Sequence, residues 1–405
     1  MMNRCRCINC ITPPHLLQHL LESSDTRIRD AAQRTLLVSS RLRGERNIRG
    51  LIAFAAGAPS NARRTVSDCA NSTFLPSATV ARTEDGSPSQ DDSANRAFDG
   101  LGATREFYKE VFNRDSLDGR GMRLNAFVHY GEAFNNAFFD GAEMVFGDGD
   151  GILFTDFTKS LDVIAHELTH GVTSFTANLK YHNQSGALNE SMSDVFGSLV
   201  KQWAAKQTAD QADWLIGADV FTPDIGGDAL RSMKNPGSAY NNPTMGKDPQ
   251  PDHMSKFKQM PDTDIGDNGG VHINSGIPNK AFYLTAIGIG GHAWEAPGQI
   301  WYNALLASNP DTSFQEFADT TYLQASQRFG EQSAEQQAVL SAWKEVGIRI
   351  SGIRSLAGTV ARMRQPVAVA GNGVEETDVS KRIEQLSGQL AALTKQVSGL
   401  RGKAH

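Results

Sequence analysis

The chain has 405 residues, of which 40% are hydrophobic and 21% charged, and a net charge of −6. That length suits two lobes with extensions, and the acidic balance gives no basic surface on which to expect nucleic acid. No apolar run reaches the roughly twenty residues needed to span a membrane.

In chain order, the opening "MMNRCRCINCITPPHLLQHLLESS" carries positive charge but no uninterrupted apolar core before a small-residue cleavage site. It does not read as a secretory signal, so a cytoplasmic product is expected, with secretion by a non-standard route as the alternative. Cys5, Cys7 and Cys10 crowd together and the fourth cysteine is Cys69, which suits reduced thiols better than a disulfide framework. Two helical patterns follow, Pro14 to Glu22, with a proline in its first turn, and Thr26 to Arg43. A Gly/Ser/Asn-rich stretch, "GAPSNARRTVSD", comes after them. Short alternating runs such as "NAFVHY" and "AEMVFG" then predict strands in a lobe that ends near Lys159, and from Ser160 to Ile348 the periodicity is mainly helical.

At the head of that helical region stands "DVIAHELTHGV", Asp162 to Val172. Leu161, Ile164, Ala165 and Leu168 form an apolar stripe, and His166 and His170, four apart, project from one helix face. Two imidazoles and a carboxylate suit zinc with one position open for water, and Glu167 is placed to take that water's proton. Downstream, Asn178 and the run His182 to Gly186 break the helix, and Ala187 to Val200 begins another. Glu190 and Asp194 share a face of that second helix, Glu190 as third ligand and Asp194 to accept the other ring N–H of His166. A core helix with incidental histidines and a solvent-exposed acidic pair are the alternatives.

These motifs, with "FNNAFFDGAEMVFGDGDG" (Phe134 to Gly151), "DVFTPDIGGDALRSM" (Asp219 to Met233) and "DNGGVHINSGIPNKAFY", resemble in order the thermolysin family of zinc metalloendopeptidases from about Asn125 to Ile348. The resemblance implies an α+β, two-lobed fold, a β-rich N-terminal lobe and a mainly helical C-terminal lobe with zinc between them. It implies His166, His170 and Glu190 as zinc ligands and Glu167 as general base. By the same matching, His272 and Tyr181 stabilise the oxyanion and Asp267 orients His272; the glycines and the "INSG" turn around His272 are expected to let the backbone approach a cleft. Asn136 and Ala137 match edge-strand residues that pair with an extended peptide, and Arg231 matches the residue that binds the carbonyl after the scissile bond. Phe154, Phe157, Val163, Ile216, Val220 and Leu230 would line an apolar pocket, implying cleavage of peptides or proteins on the amino side of Leu, Phe or Ile.

Two departures matter. At the family's paired calcium site Asp162 and Asp213 survive, but Lys201, Leu215 and Ala218 stand where oxygen ligands are needed, which argues against calcium there. Thr222 and Asp228 match another calcium loop, so one calcium ion is expected at most. In addition, "PPHLL" resembles the Pro-Pro-x-Leu motif of the short propeptides in the protealysin-like branch. That likeness implies that Pro13, Pro14 and Leu16 occupy the cleft until removed.

The implied organisation is an inhibitory propeptide at 1–50, a linker and processing region at 51–64, a β-rich lobe at 65–159, a helical lobe at 160–350, a linker at 351–378 and a short coiled coil at 379–401. In the last, Val379, Ile383, Leu386, Leu390, Leu393, Val397 and Leu400 form a heptad seam, which points to a homodimer. The rival functions are a non-catalytic zinc-binding interaction module, which need not retain Glu167 or His272, and a zinc aminopeptidase, which needs an acidic group to capture a free amine.

Overall fold

The computed structural model describes residues 9–53 and 63–351. Cys5, Cys7, most of the 51–64 linker and the heptad seam lie outside the described residues.

Six strands form one mixed sheet in the order β1-β5-β6-β4-β2-β3. β2 (Arg64–Asp68) runs antiparallel to β3 (Thr79–Thr83) and parallel to β4 (Leu124–Val128), which is parallel to β6 (Glu143–Phe146). β6 pairs antiparallel with β5 (Ala137–Phe139). The runs "NAFVHY" and "AEMVFG" thus supply β4 and β6. Along β4, Leu124, Ala126 and Val128 are buried and the residues between are not, the period of two expected where one sheet face is covered. β1 (Asn9–Cys10) adds itself antiparallel to the β5 edge, with Asn9 opposite Phe139 and Cys10 opposite Phe138.

After β1 come α1 (Pro14–Leu20), with Pro14 in its first turn, and α2 (Thr26–Ala53), which runs on past Arg43. The β-rich lobe also contains a long helix, α3 (Asp92–Phe112), that its alternating runs did not reveal. Asp91 caps it by accepting from the Ser93 N–H, and Ala94, Ala97, Phe98, Leu101, Phe107 and Tyr108 bury its inner face. Gly100 weakens the helical signal for a packing reason. A Cβ there would lie 2.5 Å from Ile164 Cδ1, so the bare backbone is what lets α3 approach the zinc-motif helix.

That helix, α4 (Leu161–Ser174), packs on α5 (Asn183–Ala205). The chain breaks between them at Asn178, whose φ is 54°, and α5 begins at Asn183 rather than Ala187. α6 (Asp267–Asn274) packs on α5, while α7 (Gly276–Ile289), α8 (Ala296–Ala307), α9 (Phe314–Phe329) and α10 (Ala334–Glu345) complete the helical lobe. Its core includes Trp301 stacked on Trp343, ring centroids 6.1 Å apart, with the Trp343 indole N–H donating to Thr321.

His129 fastens the start of α3 to the loop after β6. Its backbone is left-handed, φ 53°, its Nδ1 lies 2.9 Å from both carboxylate oxygens of Asp148, and its Nε2 lies 3.0 Å from Asp91. Both ring nitrogens face carboxylates, which suits the imidazolium. The hydrogen bond to Asp148 raises its pKa to about 9, against an opposing push from burial and with help from Asp91. Because the folded pKa is raised, the stabilisation is complete below the unfolded value of about 6.5 and disappears as pH rises through about 9. Solvent screening limits it to about 1 kcal/mol. His129→Asn, which tolerates a left-handed backbone, should therefore cost about that much in urea denaturation at pH 6 and little at pH 10.

Candidate active site

The i, i+4 spacing on α4 puts His166 and His170 on one buried face, with their Nε2 atoms 3.1 Å apart. Each ring is fixed from behind. His166 Nδ1 lies 2.8 Å from Asp194 Oδ1, and His170 Nδ1 lies 2.8 Å from Asn189 Oδ1 and 3.0 Å from Ser193 Oγ. Since acceptors hold the Nδ1–H of both rings, both Nε2 lone pairs point inward. They meet Glu190, whose carboxylate oxygens lie 3.5 Å from His166 and 3.4 Å from His170. Glu190 Oε2 has no hydrogen-bond partner although it is buried. Three electron donors converge with no proton between them, an arrangement a cation resolves, and two imidazoles with a carboxylate fit zinc. Among the described residues this is the one group of three or more His, Cys, Asp or Glu side chains whose ligand atoms converge.

Helical spacing in the sequence pointed to Glu190 and Asp194 but not to Asn189 and Ser193. Those two are also four apart, one position earlier on α5, so the same spacing carried the signal. Asn279 was missed as well; it donates to Asp194 Oδ2 at 2.8 Å from α7, an element far along the chain. Asp194 further accepts from Arg231 Nε and Nη2, both at 2.8 Å. Burial would raise the Asp194 pKa, but the Arg231 charge and the His166 hydrogen bond outweigh it and hold the carboxyl well below the usual range.

Glu167, the residue between the histidines, is also buried and turns toward the sheet edge, where Oε2 accepts from the Phe139 N–H at 3.1 Å while Oε1 has no hydrogen-bond partner. Burial, then the nearby Glu190 charge, push its pKa well above the carboxylate range. Across the site, His272 Nδ1 lies 2.5 Å from Asp267 Oδ1, and Asp267 Oδ2 accepts the His272 backbone N–H. Burial alone would lower the His272 pKa, but Asp267 and Glu190 reverse this and raise it to about 9. Tyr181 donates to Glu190 and lies 3.2 Å from His272 Nε2. The backbone turns sharply at Asn268, Gly269 and Gly270, with φ of 49°, 86° and 79°, which brings Asp267 and His272 face to face. The expected "INSG" turn is instead helical, Ser275 having φ −59° and ψ −21°, so the turning is done by the preceding glycine pair.

The pocket residues Phe154, Phe157, Val163, Ile216, Val220 and Leu230 are all buried and belong to one continuous core. The N-terminal segment shares that core through Ile11, Leu16 and Leu20, and Pro13 and Pro14 are buried too. Its backbone engages the site directly. The Cys10 carbonyl oxygen lies 2.9 Å from His272 Nε2, the Ile11 N–H donates to the Ala137 carbonyl at 3.2 Å, the Ile11 carbonyl accepts from Arg231 Nη1 at 3.0 Å, and the Thr12 N–H donates to Asn136 Oδ1 at 3.0 Å. With a carboxylate at Nδ1 and a carbonyl at Nε2, both nitrogens of His272 act as donors, which agrees with its raised pKa. The Cys10 thiol is not among the converging ligand atoms; its side chain joins a separate cluster with Phe138, Tyr130 and Val145.

Comparison with known proteins agrees with this geometry. Residues 59–174 match the thermolysin metallopeptidase catalytic domain and residues 177–348 its alpha-helical domain. Protease PrtS of a Photorhabdus species is 52% identical over 289 residues, covering 71% of this chain and 76% of that protein. An extracellular metalloprotease of Pectobacterium carotovorum is 45% identical over 356 residues, covering 85% of this chain and 98% of that protein. The solved precursor of protealysin, a metalloproteinase from Serratia proteamaculans, superposes with a TM-score of 0.75 at 45% identity over 84% of this chain and 99% of that one. The Pectobacterium name overturns the expectation of a cytoplasmic product. That expectation rested on a missing apolar run and on clustered thiols, and neither prevents a folded enzyme from reaching the outside.

At the family's paired calcium site, the Lys201 ammonium sits among the oxygens. Its Nζ lies 3.1 Å from Asp162, 2.9 Å from Asp213 and 3.3 Å from the Leu215 carbonyl. Asp162 is fully buried and also accepts from Ser160 Oγ and the Gly217 N–H. Burial would depress the Lys201 pKa, but the two aspartates raise it, so the side chain is a fixed cation. Of the residues in the other loop, Thr222 donates its hydroxyl to the Ile152 carbonyl and Asp228 its backbone N–H to Ala239. Lys201→Met would leave the Asp162 charge buried without its partner, and chemical denaturation should show a loss of about 3 kcal/mol.

Proposed function

The chain belongs to the thermolysin family of metallopeptidases, and from that premise we propose how its residues divide the work of hydrolysing a peptide bond. It is a zinc metalloendopeptidase made as a zymogen. The observation that carries the assignment of residues is the convergence of three proton-free donors, His166, His170 and Glu190, beside a buried Glu167. His166, His170 and Glu190 would hold zinc, which when bound would supply Lewis-acid polarisation of the scissile carbonyl and a water nucleophile near neutral pH. Glu167 takes the proton of the attacking water and later delivers it to the leaving nitrogen. His272, aimed by Asp267, and Tyr181 donate to the oxygen on which charge develops. Asn136 and Ala137 hold the substrate backbone as an added strand, and Arg231, aimed by Asp194, holds the carbonyl after the cut bond. The six apolar pocket residues favour a large hydrophobic side chain on the carboxyl side of the cut.

Neither rival has comparable support. A non-catalytic zinc module has no use for Glu167 and His272 in these positions, and no motif in the sequence marks an acidic group for the capture of a free amine. The Pectobacterium relative's name supports action outside the cell. Residues 1–50 as propeptide, processing within 51–64, lobes at 65–159 and 160–350, and a homodimer through 379–401 complete the proposal. A calcium ion at Thr222 and Asp228 belongs to it on sequence matching alone.

Two outcomes test the reading. Glu167→Gln should bind zinc normally, measured by metal content, while casein hydrolysis falls by at least about a thousandfold; near-normal hydrolysis would remove Glu167 from its role. The second concerns latency. His15 of α1 contacts the Tyr240 hydroxyl at 3.1 Å, and burial lowers its pKa to about 4, against the pull of Asp267. Docking therefore favours neutral His15, is at full strength above about 6.5 and weakens as pH falls from there toward about 4. Hydrogen exchange of residues 14–20 should accelerate across that window in the native chain and stay flatter in His15→Gln.

A further inference from the structure

The N-terminal segment crosses the site in a definite polarity and register. Four backbone contacts bracket a single bond. His272 holds the Cys10 carbonyl at 2.9 Å, the Ala137 carbonyl takes the Ile11 N–H at 3.2 Å, Arg231 holds the Ile11 carbonyl at 3.0 Å and Asn136 takes the Thr12 N–H at 3.0 Å. The Ile11 backbone N–H also acts on Glu167, holding its pKa down against burial and the Glu190 charge. Thus the oxyanion donor faces the carbonyl on one side of the Cys10–Ile11 bond, and the proton-delivering carboxylate faces the nitrogen on the other. Ile11 itself is fully buried, in the core shared by the hydrophobic pocket residues.

We propose that the Cys10–Ile11 bond is a self-cleavage site, cut by the active centre of the same molecule, and that the cut form remains inhibited. The proposal rests on the site assignment above. In the reaction a water oxygen bonds to the Cys10 carbonyl carbon and the bond to the Ile11 nitrogen breaks. Cys10 leaves as a carboxylate, while the Ile11 nitrogen takes a proton from Glu167. The segment after the cut is firmly held, because Ile11, Leu16, Leu17 and Leu20 are all at most 2% exposed and Arg231 and Asn136 grip its backbone. The new amine therefore stays beside the new carboxylate at a high effective concentration and reforms the bond, which makes net cleavage slow. Once the first ten residues depart, Ile11 to Leu20 still fill the cleft, so the cut alone does not activate the enzyme.

The test is to incubate the full-length, zinc-loaded chain at neutral pH and follow its intact mass. A form beginning at Ile11 should accumulate at a first-order rate that is unchanged over a roughly 100-fold range of protein concentration, and it should remain inactive on casein. Ile11→Asp, which puts a charge into an apolar pocket, should slow this cut at least about tenfold. In metal-free protein the same variant should speed hydrogen exchange of residues 14–20, a readout independent of catalysis, whereas Ile11→Leu should preserve both properties. A preparation that digests casein once residues 1–50 are removed, yet never yields a chain starting at Ile11, overturns the proposal. So does a rate proportional to protein concentration, or an Ile11 form that is active on casein. If Glu167→Gln freed of residues 1–50 digests casein normally, the site assignment itself fails; if it has lost the casein activity that the native chain shows once freed of residues 1–50, while the native full-length chain goes uncut at Ile11, only the self-cleavage inference fails.

Discussion

One buried carboxylate couples the metal side of the site to its substrate side. Asp194 accepts from His166 Nδ1, from two nitrogens of Arg231 and from Asn279, each at 2.8 Å. It is fully buried and Arg231 nearly so, and neither charge would be tolerable there alone. The pair therefore sets two geometries together. The tautomer that turns the His166 lone pair inward and the direction in which Arg231 reaches for a carbonyl follow from the same hydrogen bonds. α4, α5 and α7 are held in one relative arrangement by this network, and a shift of any of them disturbs ligand and substrate contacts at once.

A second charge arrangement contributes stability without chemistry. Lys201 lies between Asp162 and Asp213 and brings its own positive charge to a cluster that would otherwise need an ion. The cation is covalently attached to α5, so its position costs no binding equilibrium. It also cannot be withdrawn by a chelator. Because Asp162 opens the helix that carries the histidines and Lys201 closes the one that carries Glu190, this ion pair fixes the far ends of the same two helices whose near faces form the metal site.

The parts legible in the sequence were those with a period. Histidines four apart, then Glu190 and Asp194 four apart, announce facing helix surfaces whatever the rest of the fold does. β4 and β6 showed their alternation. α3 was missed because Gly100, needed for contact with Ile164, dilutes its helical pattern. The turn at His272 was misplaced because an "NSG" run looks like a turn, while the left-handed residues are Asn268, Gly269 and Gly270. β1 had no signal at all. It is two residues long and its pairing is made by backbone groups, which every sequence possesses.

Pairing through the backbone alone explains both the economy and the constraint of the latent state. A strand held by main-chain hydrogen bonds needs few particular side chains, so the segment is marked mainly by the two prolines after it. Pro13 and Pro14 stop the pairing after Thr12, since proline has no N–H to donate, and start α1 instead. The groups that grip the segment are His272, Asn136, Ala137 and Arg231, and these are the groups proposed to grip a substrate. Catalysis and latency thus draw on one set of donors and acceptors. A substitution that loosens Arg231 or Asn136 weakens the grip on substrate and inhibitor together and cannot select for activation. Release must come from contacts the substrate does not use, and the described residues offer such contacts at α1, where His15 meets Tyr240 and Gln18 donates to the Ile265 carbonyl.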